Sequence, residues 1–224
     1  MTVTRRQMLA GAGLMGAATA VAPFIGTTAS RATPPAPAAA PNVLLPLFNN
    51  SAFNGQISFC LGGASPHTSD VGEVMRVVQQ VNKKTGNPSD ADTTTGDFDA
   101  LIQGFVDMGD RMERLAKRSG KSDAVTYRQR MMRASSYAAQ ALFFVLGGSR
   151  PDDEADYFRI CQRRWLAAAR AFDRPVQQFR VESPYGSIPC YFFPSPIGKG
   201  PRPTLIVSSG SDGQLVECMG FGIT

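Results

Sequence analysis

The chain has 224 residues, of which 43% are hydrophobic, which is enough to bury one domain or a domain and part of another. Its formal net charge is +5 at pH 7. The Lys and Arg residues are scattered along predicted helices without interleaved aromatic residues, a pattern that argues against nucleic-acid binding. The four cysteines form no Cys-x-x-Cys pair and there is one histidine, so we expect neither a zinc site nor a cofactor.

The amino terminus has the parts of an export signal. Arg5 and Arg6 form a twin-arginine pattern, followed by a Gly- and Ala-rich apolar run and small residues up to Ser30. The alternative is a membrane-spanning helix, but the run falls short of the ~20 solidly apolar residues that a span needs. We therefore expect residues 1–30 to engage the twin-arginine machinery, with membrane contact only during export. The product would be periplasmic or secreted, with net charge +3 once both arginines are removed.

Residues 31–41 are rich in Pro and Ala and predict an extended linker, so folded structure is expected from residue 42. A short helix or irregular segment is predicted at 48–63. A helix then begins at Asp70, which forms a capping box with Glu73. Apolar residues at 3/4 spacing predict three more helices, at roughly 97–118, 122–146 and 152–171.

The predicted apolar faces of two helices can be read directly from this spacing. The face of the helix at 97–118 consists of Phe98, Leu101, Phe105, Met108, Met112 and Leu115. The face of the helix at 152–171 consists of Phe158, Cys161, Trp165, Ala168 and Phe172. Four methionines, Met108, Met112, Met131 and Met132, could line a substrate pocket, although helix-spaced methionine favours plain core. The same two interpretations apply to Tyr127, Tyr137 and Trp165.

After residue 175 the apolar period becomes that of strands. Two short β-rich runs at 176–182 and 187–193 flank a Ser-Pro-Tyr-Gly turn, which predicts an antiparallel hairpin. Pro189 favours an edge position. The run at 204–208 has no alternation, which predicts a third strand buried on both faces. A Gly-rich turn and the start of a helix are predicted after it.

Four groups of residues, taken in order, carry a resemblance to a known family. They are Gly62-Gly63-Ala64 with Gly72-Glu73-Val74, then Arg133-Ala134-Ser135-Ser136-Tyr137, then 182–186 with 188–192, and finally 202–207 with 210–213. In this order the chain resembles α/β-hydrolases in which a helical amino-terminal domain covers the active site. That branch includes enzymes similar to 2,6-dihydroxypseudooxynicotine hydrolase and esterases of the fermentation-respiration-switch type.

The resemblance implies a partial α/β-hydrolase fold, with a helical lid domain at 42–175 and the first three strands of the hydrolase sheet at 176–224. It implies hydrolysis of an ester or a carbon–carbon bond in a small-molecule ester or ketone. The turn after the third strand would then contribute an oxyanion-hole N–H. By position Ser211 is the best candidate donor, with Gly210 and Asp212 beside it. The alternative is an ordinary turn in which Ser211 or Asp212 caps the next helix.

The chain departs from the family in having no G-x-S-x-G motif and no positions matching the catalytic acid and histidine. We therefore predict no catalytic residue within this sequence, and we expect His67 to be an exposed loop residue and not a triad base. One alternative is a non-catalytic helical binding protein derived from the lid domain. The other is an enzyme that uses carboxylates of the second helix, which look like its solvated face: Asp99, Asp107, Asp110 and Glu113.

Overall fold

The computed structural model describes residues 46–91, 94–120, 123–174, 176–195, 197 and 200–208. Within these ranges the chain forms five α-helices, then two β-strands. The helices are α1 (Ser51–Gly62), α2 (Val71–Thr85), α3 (Thr95–Ser119), α4 (Ala124–Phe144) and α5 (Glu154–Ala169). The strands are β1 (Gln177–Ser183) and β2 (Gly186–Phe192), and 3-10 turns at Val145–Gly147 and Pro151–Asp153 connect α4 to α5. The predicted export signal, with Arg5 and Arg6, and the linker at 31–41 lie outside the described residues.

The predicted helices are confirmed, and their ends follow from local chemistry. Asn50 caps α1 by accepting a hydrogen bond from Phe53 N at 2.9 Å. Asp70 caps α2 by accepting one from Glu73 N at 3.1 Å. Gly86 ends α2 in the left-handed conformation (φ 71°), which glycine adopts at little cost. Capping of this kind explains why the predicted and observed boundaries differ by only a few residues.

The helices pack into a bundle in which α4 lies between α3 and α5, and α3 lies between α2 and α4. The predicted face of α3 is confirmed, since Leu101, Phe105, Met108 and Met112 are buried against α2 and α4. None of the helices in the described ranges is both long enough and apolar enough to be a membrane span. One residue of the predicted α5 face is placed wrongly: Phe158 is 45% exposed, because α5 turns the side of Cys161 and Trp165 toward α4.

The predicted hairpin is confirmed. The strands β1 and β2 pair antiparallel, with Ser183 opposite Gly186 at the turn and Gln177 opposite Phe192 at the other end. Pro189, which cannot donate to a ladder, lies opposite Arg180 in this two-stranded sheet. The described part of the chain is therefore mostly helical with a small antiparallel sheet, as a helical domain followed by a few strands requires.

The predicted third strand is wrong for the described residues. Residues 204–208 adopt no strand, and Leu205 and Ile206 are 77% and 89% exposed. A strand buried on both faces needs a neighbouring strand at its edges and layers above and below it. Among the described residues β1 and β2 pair only with each other, so the apolar run has no ladder to join.

Candidate functional site

The residues predicted for the oxyanion hole, Gly210, Ser211 and Asp212, lie outside the described residues. His67 is exposed in the loop between α1 and α2, with a left-handed backbone (φ 60°), as expected for a loop residue. Nowhere in the described ranges do three or more His, Cys, Asp or Glu side chains gather closely enough to hold a metal ion. The described part offers two structural features that bear on function, the junction between bundle and hairpin and a buried charge cluster.

The junction is built around Trp165 of α5, which is 1% exposed. The ring of Tyr191 meets it edge-on with centroids 5.6 Å apart, and the ring of Phe193 stacks on it at 5.9 Å. Phe172, just after α5, contacts Phe193 at 5.9 Å, and the guanidinium of Arg128 lies over the Phe172 ring. Burial raises the pKa of the Tyr191 hydroxyl. These contacts fix the hairpin against the bundle through one of its two faces.

The opposite face of the hairpin has no partner among the described residues. Because directly paired residues share a face, Phe179 lies beside Cys190 and Val181 beside Ile188, with Phe192 at the end. Phe179, Val181, Ile188 and Phe192 are between 40% and 51% exposed. A contiguous apolar sheet face of this kind is a surface for packing against another layer.

The charge cluster, which we call the Glu113 cluster, joins α3 and α5. Glu113 accepts hydrogen bonds from Arg163 at 2.7 and 3.0 Å and from Arg164 Nε at 2.8 Å, and Lys117 lies 2.9 Å away. Arg164 also donates to Asp110 and to the carbonyl of Ala134 on α4. The side chains of Arg164 and Glu113 are only 3% and 9% exposed. Glu113 is thus not on a solvated face, which corrects the prediction for this carboxylate.

The Glu113 cluster has a glycine, Gly109, beside the Arg164 guanidinium. The cluster also keeps the Glu113 carboxylate ionised. A Cβ added at Gly109 would lie 2.7 Å from Arg164 Nη1, so glycine leaves room for the guanidinium to cross the bundle. The hydrogen bond from Arg163 holds the pKa of Glu113 well below its usual range; burial opposes this effect, and Lys117 and Arg164 add to it. Glu113 is therefore ionised and fully paired, which suits a structural ion cluster better than a general base.

A second, partly buried network replaces part of the predicted capping box. The hydroxyl of Tyr137 on α4 accepts a hydrogen bond from Asp70 N at 3.0 Å and donates to Glu73 Oε2 at 2.7 Å. Arg133 Nε lies 3.0 Å from the same Glu73 oxygen as an ion pair. Burial, and then the neighbouring Glu73 carboxylate, raise the pKa of Tyr137 far above its usual range. Tyr137 thus ties the start of α2 to α4.

Replacing Tyr137 with phenylalanine should lower the free energy of unfolding by about 1–3 kcal/mol, because Asp70 N and Glu73 each lose a buried partner. Urea unfolding followed by circular dichroism measures this. The matched control is Tyr127→Phe, since Tyr127 makes no hydroxyl hydrogen bond in the described contacts and should change stability by less than about 0.5 kcal/mol. Equal effects of the two variants would contradict the proposed role of the Tyr137 hydroxyl.

The remaining predicted candidates have structural roles. Met108, Met112, Met131 and Met132 are all buried in the core, which confirms the plainer interpretation. Asp99 accepts a hydrogen bond from Ser149 N at 2.8 Å, and Asp107 is exposed and bonded to Gln103. Cys60 and Cys161 are buried, and Cys190 is half-buried. The four carboxylates of α3 therefore do not converge on one site.

The sequence contains a signal for the Glu113 cluster, which lies in the positions of the charged residues along their helices and not in the residue types alone. Arg164 falls in the apolar stripe of α5, between Cys161 and Trp165, and Glu113 lies on the buried side of α3 beside Met112. Opposite charges at stripe positions of two helices predict a buried pair.

Comparison of the chain with protein-family models, curated proteins and solved structures found no match.

Proposed function

We propose that this chain is the amino-terminal part of an exported serine hydrolase of the α/β class, with the helical bundle as the lid domain. The observation that carries the proposal is the position of the hairpin. One face is fixed on the bundle through Trp165, and the other presents Phe179, Val181, Ile188 and Phe192 to solvent. A hairpin that is packed on one face and apolar on the other can be extended by further strands and covered by a second layer.

The segment after the hairpin supports the same proposal. Leu205 and Ile206 are largely exposed, although their sequence is that of a strand buried on both faces. In an assembled hydrolase sheet this run would become the third strand and would place the turn at Gly210, Ser211 and Asp212 beside the substrate. A backbone N–H there would stabilise the negative oxygen that forms when a serine attacks an ester or activated ketone.

The nucleophile, acid and histidine of this proposed enzyme lie outside the 224 residues, so the chain itself should not form a covalent adduct with a fluorophosphonate probe. Intact-mass spectrometry of the purified chain after incubation with the probe measures this. A chymotrypsin sample labelled in parallel shows that the probe is active. Stoichiometric labelling of any serine in the chain would contradict the proposal that its catalytic serine lies elsewhere.

The coding DNA beyond codon 224 gives the complementary test. The hydrolase proposal requires a continuation, in frame or after a frameshift, that encodes a Gly-rich serine elbow. The protein that includes it should be labelled by the probe, and replacement of the elbow serine with alanine should abolish labelling. A terminator with no such continuation would overturn the hydrolase proposal and favour the helical binding protein. That alternative is supported by the core of α1 to α4, which the hairpin does not enter.

A further inference from the structure

The outer strand of the hairpin, β1, has an open edge. Within the described ranges β1 pairs only with β2, and six of its seven residues are exposed. Every second residue of a strand directs its N–H and C=O to the same side, so β1 presents unpaired backbone groups along the side away from β2. A lone two-stranded hairpin is marginally stable in water, and pairing with another strand would stabilise it.

The charges on β1 are arranged symmetrically about Val181, one residue beyond the centre of the strand. Arg180 and Glu182 flank Val181 and lie on the same face of the strand. Arg180 donates from Nε to Ser187 Oγ at 2.6 Å and from Nη2 to Ser187 O at 2.8 Å, and Ser187 donates to Glu182 Oε1. Among the described contacts these bonds leave Arg180 Nη1 and Glu182 Oε2 available to a further partner.

We propose that β1 pairs antiparallel with β1 of a second copy of this chain, across a two-fold axis at Val181. In this register Arg180 lies opposite Glu182 of the partner subunit, and Glu182 lies opposite Arg180 of the partner subunit. Opposite charges directly across an antiparallel ladder stabilise it, and like charges destabilise it. Moving the axis by one residue in either direction would place Arg180 opposite itself or Glu182 opposite itself. The charges therefore select one isologous register.

The contacts between the bundle and the hairpin lie away from Val181. It contacts the hairpin at Tyr191 and Phe193, and Tyr191 lies opposite Gln178, near the start of β1. Val181 lies further toward the turn, so a two-fold axis there places the two bundles at opposite ends of the shared ladder. The inference uses only the edge of the hairpin and does not rest on the proposed hydrolase function.

Size-exclusion chromatography with light scattering on the 224-residue chain tests the proposal. The expected mass is twice the 24.0 kDa of one chain. Arg180→Glu alone and Glu182→Arg alone should each weaken the dimer by about tenfold or more, because each creates two like-charge pairs across the ladder. An equimolar mixture of the two variants should regain a dimer of roughly wild-type affinity. In the mixed dimer, each chain carries at both positions the charge opposite to that of its partner.

Arg170→Glu, at the residue that directly follows α5, is the matched control, because it makes the same charge change at an exposed position outside β1. It should leave the dimer unchanged, and circular dichroism should report wild-type helix content for all variants. A wild-type mass other than that of a dimer would overturn the proposal, as would single variants that dimerise like the wild type. A mixture that stays monomeric would also overturn it, because the charges would then act only within one hairpin.

Discussion

Replacing Glu113 with alanine should lower the free energy of unfolding by about 3–5 kcal/mol, because it leaves Arg164 buried with only part of its counter-charge. Arg164 is 3% exposed and donates to both Glu113 and Asp110. The chain has a single tryptophan, Trp165, on the same helix, so its fluorescence in urea reports the unfolding of this region. The measurement is the shift in unfolding midpoint at constant slope.

The matched control for Glu113 is Asp107→Ala. Asp107 is on the same helix and carries the same charge, but it is exposed and bonded only to Gln103 in the described contacts. Its replacement should change stability by less than about 0.5 kcal/mol. If the two variants were equally stable, the Glu113 cluster would contribute nothing beyond an ordinary surface pair.

Lowering the pH should reduce the difference in the free energy of unfolding between the wild type and Glu113→Ala. The pKa of Glu113 is lower in the folded chain than the ordinary glutamate value of about 4.3. The contribution of its ion pairs is therefore fully present above that ordinary value and is lost as the pH falls toward the folded pKa. If the stability difference increased as the pH was lowered from 6 to 3, the result would contradict a lowered pKa of Glu113 in the folded chain.

Replacing Trp165 with alanine should lower the free energy of unfolding by about 3–5 kcal/mol, the usual range for truncating a buried aromatic side chain. It should also release the hairpin, because Tyr191 and Phe193 both rest on the Trp165 ring. Urea unfolding followed by circular dichroism measures the first effect. Hydrogen exchange in peptides covering β1 and β2 measures the second, and exchange should accelerate there more than in α2 or α3.

Phe158→Ala is the control for Trp165, since Phe158 lies on the same helix but is 45% exposed. It should cost less than about 1 kcal/mol and leave exchange in the hairpin unchanged. If Trp165→Ala destabilised the bundle without altering hairpin exchange, the junction would not be what holds the strands in place.

The local elements of this fold follow from sequence patterns that act over a few residues. Asp70 with Glu73 marks the start of α2, and the spacing of Leu101, Phe105 and Met108 gives the buried face of α3. The turn after Ser183 gives the hairpin register. Each of these depends on neighbours within about one turn of helix or one pair of strand residues. They could therefore be predicted without knowledge of the rest of the chain.

The tertiary structure decided what depends on distant partners. Glu113 is buried because Arg163 and Arg164, some fifty residues away in sequence, come to meet it. Tyr137 enters the cap of α2 from another helix. Trp165 determines which face of the hairpin packs on the bundle. Residues 204–208 lack strand structure because no strand in the described part of the chain pairs with them. Spacing along the chain fixes which residues share a face, whereas burial of a charge or pairing of a strand requires a second element at the right distance.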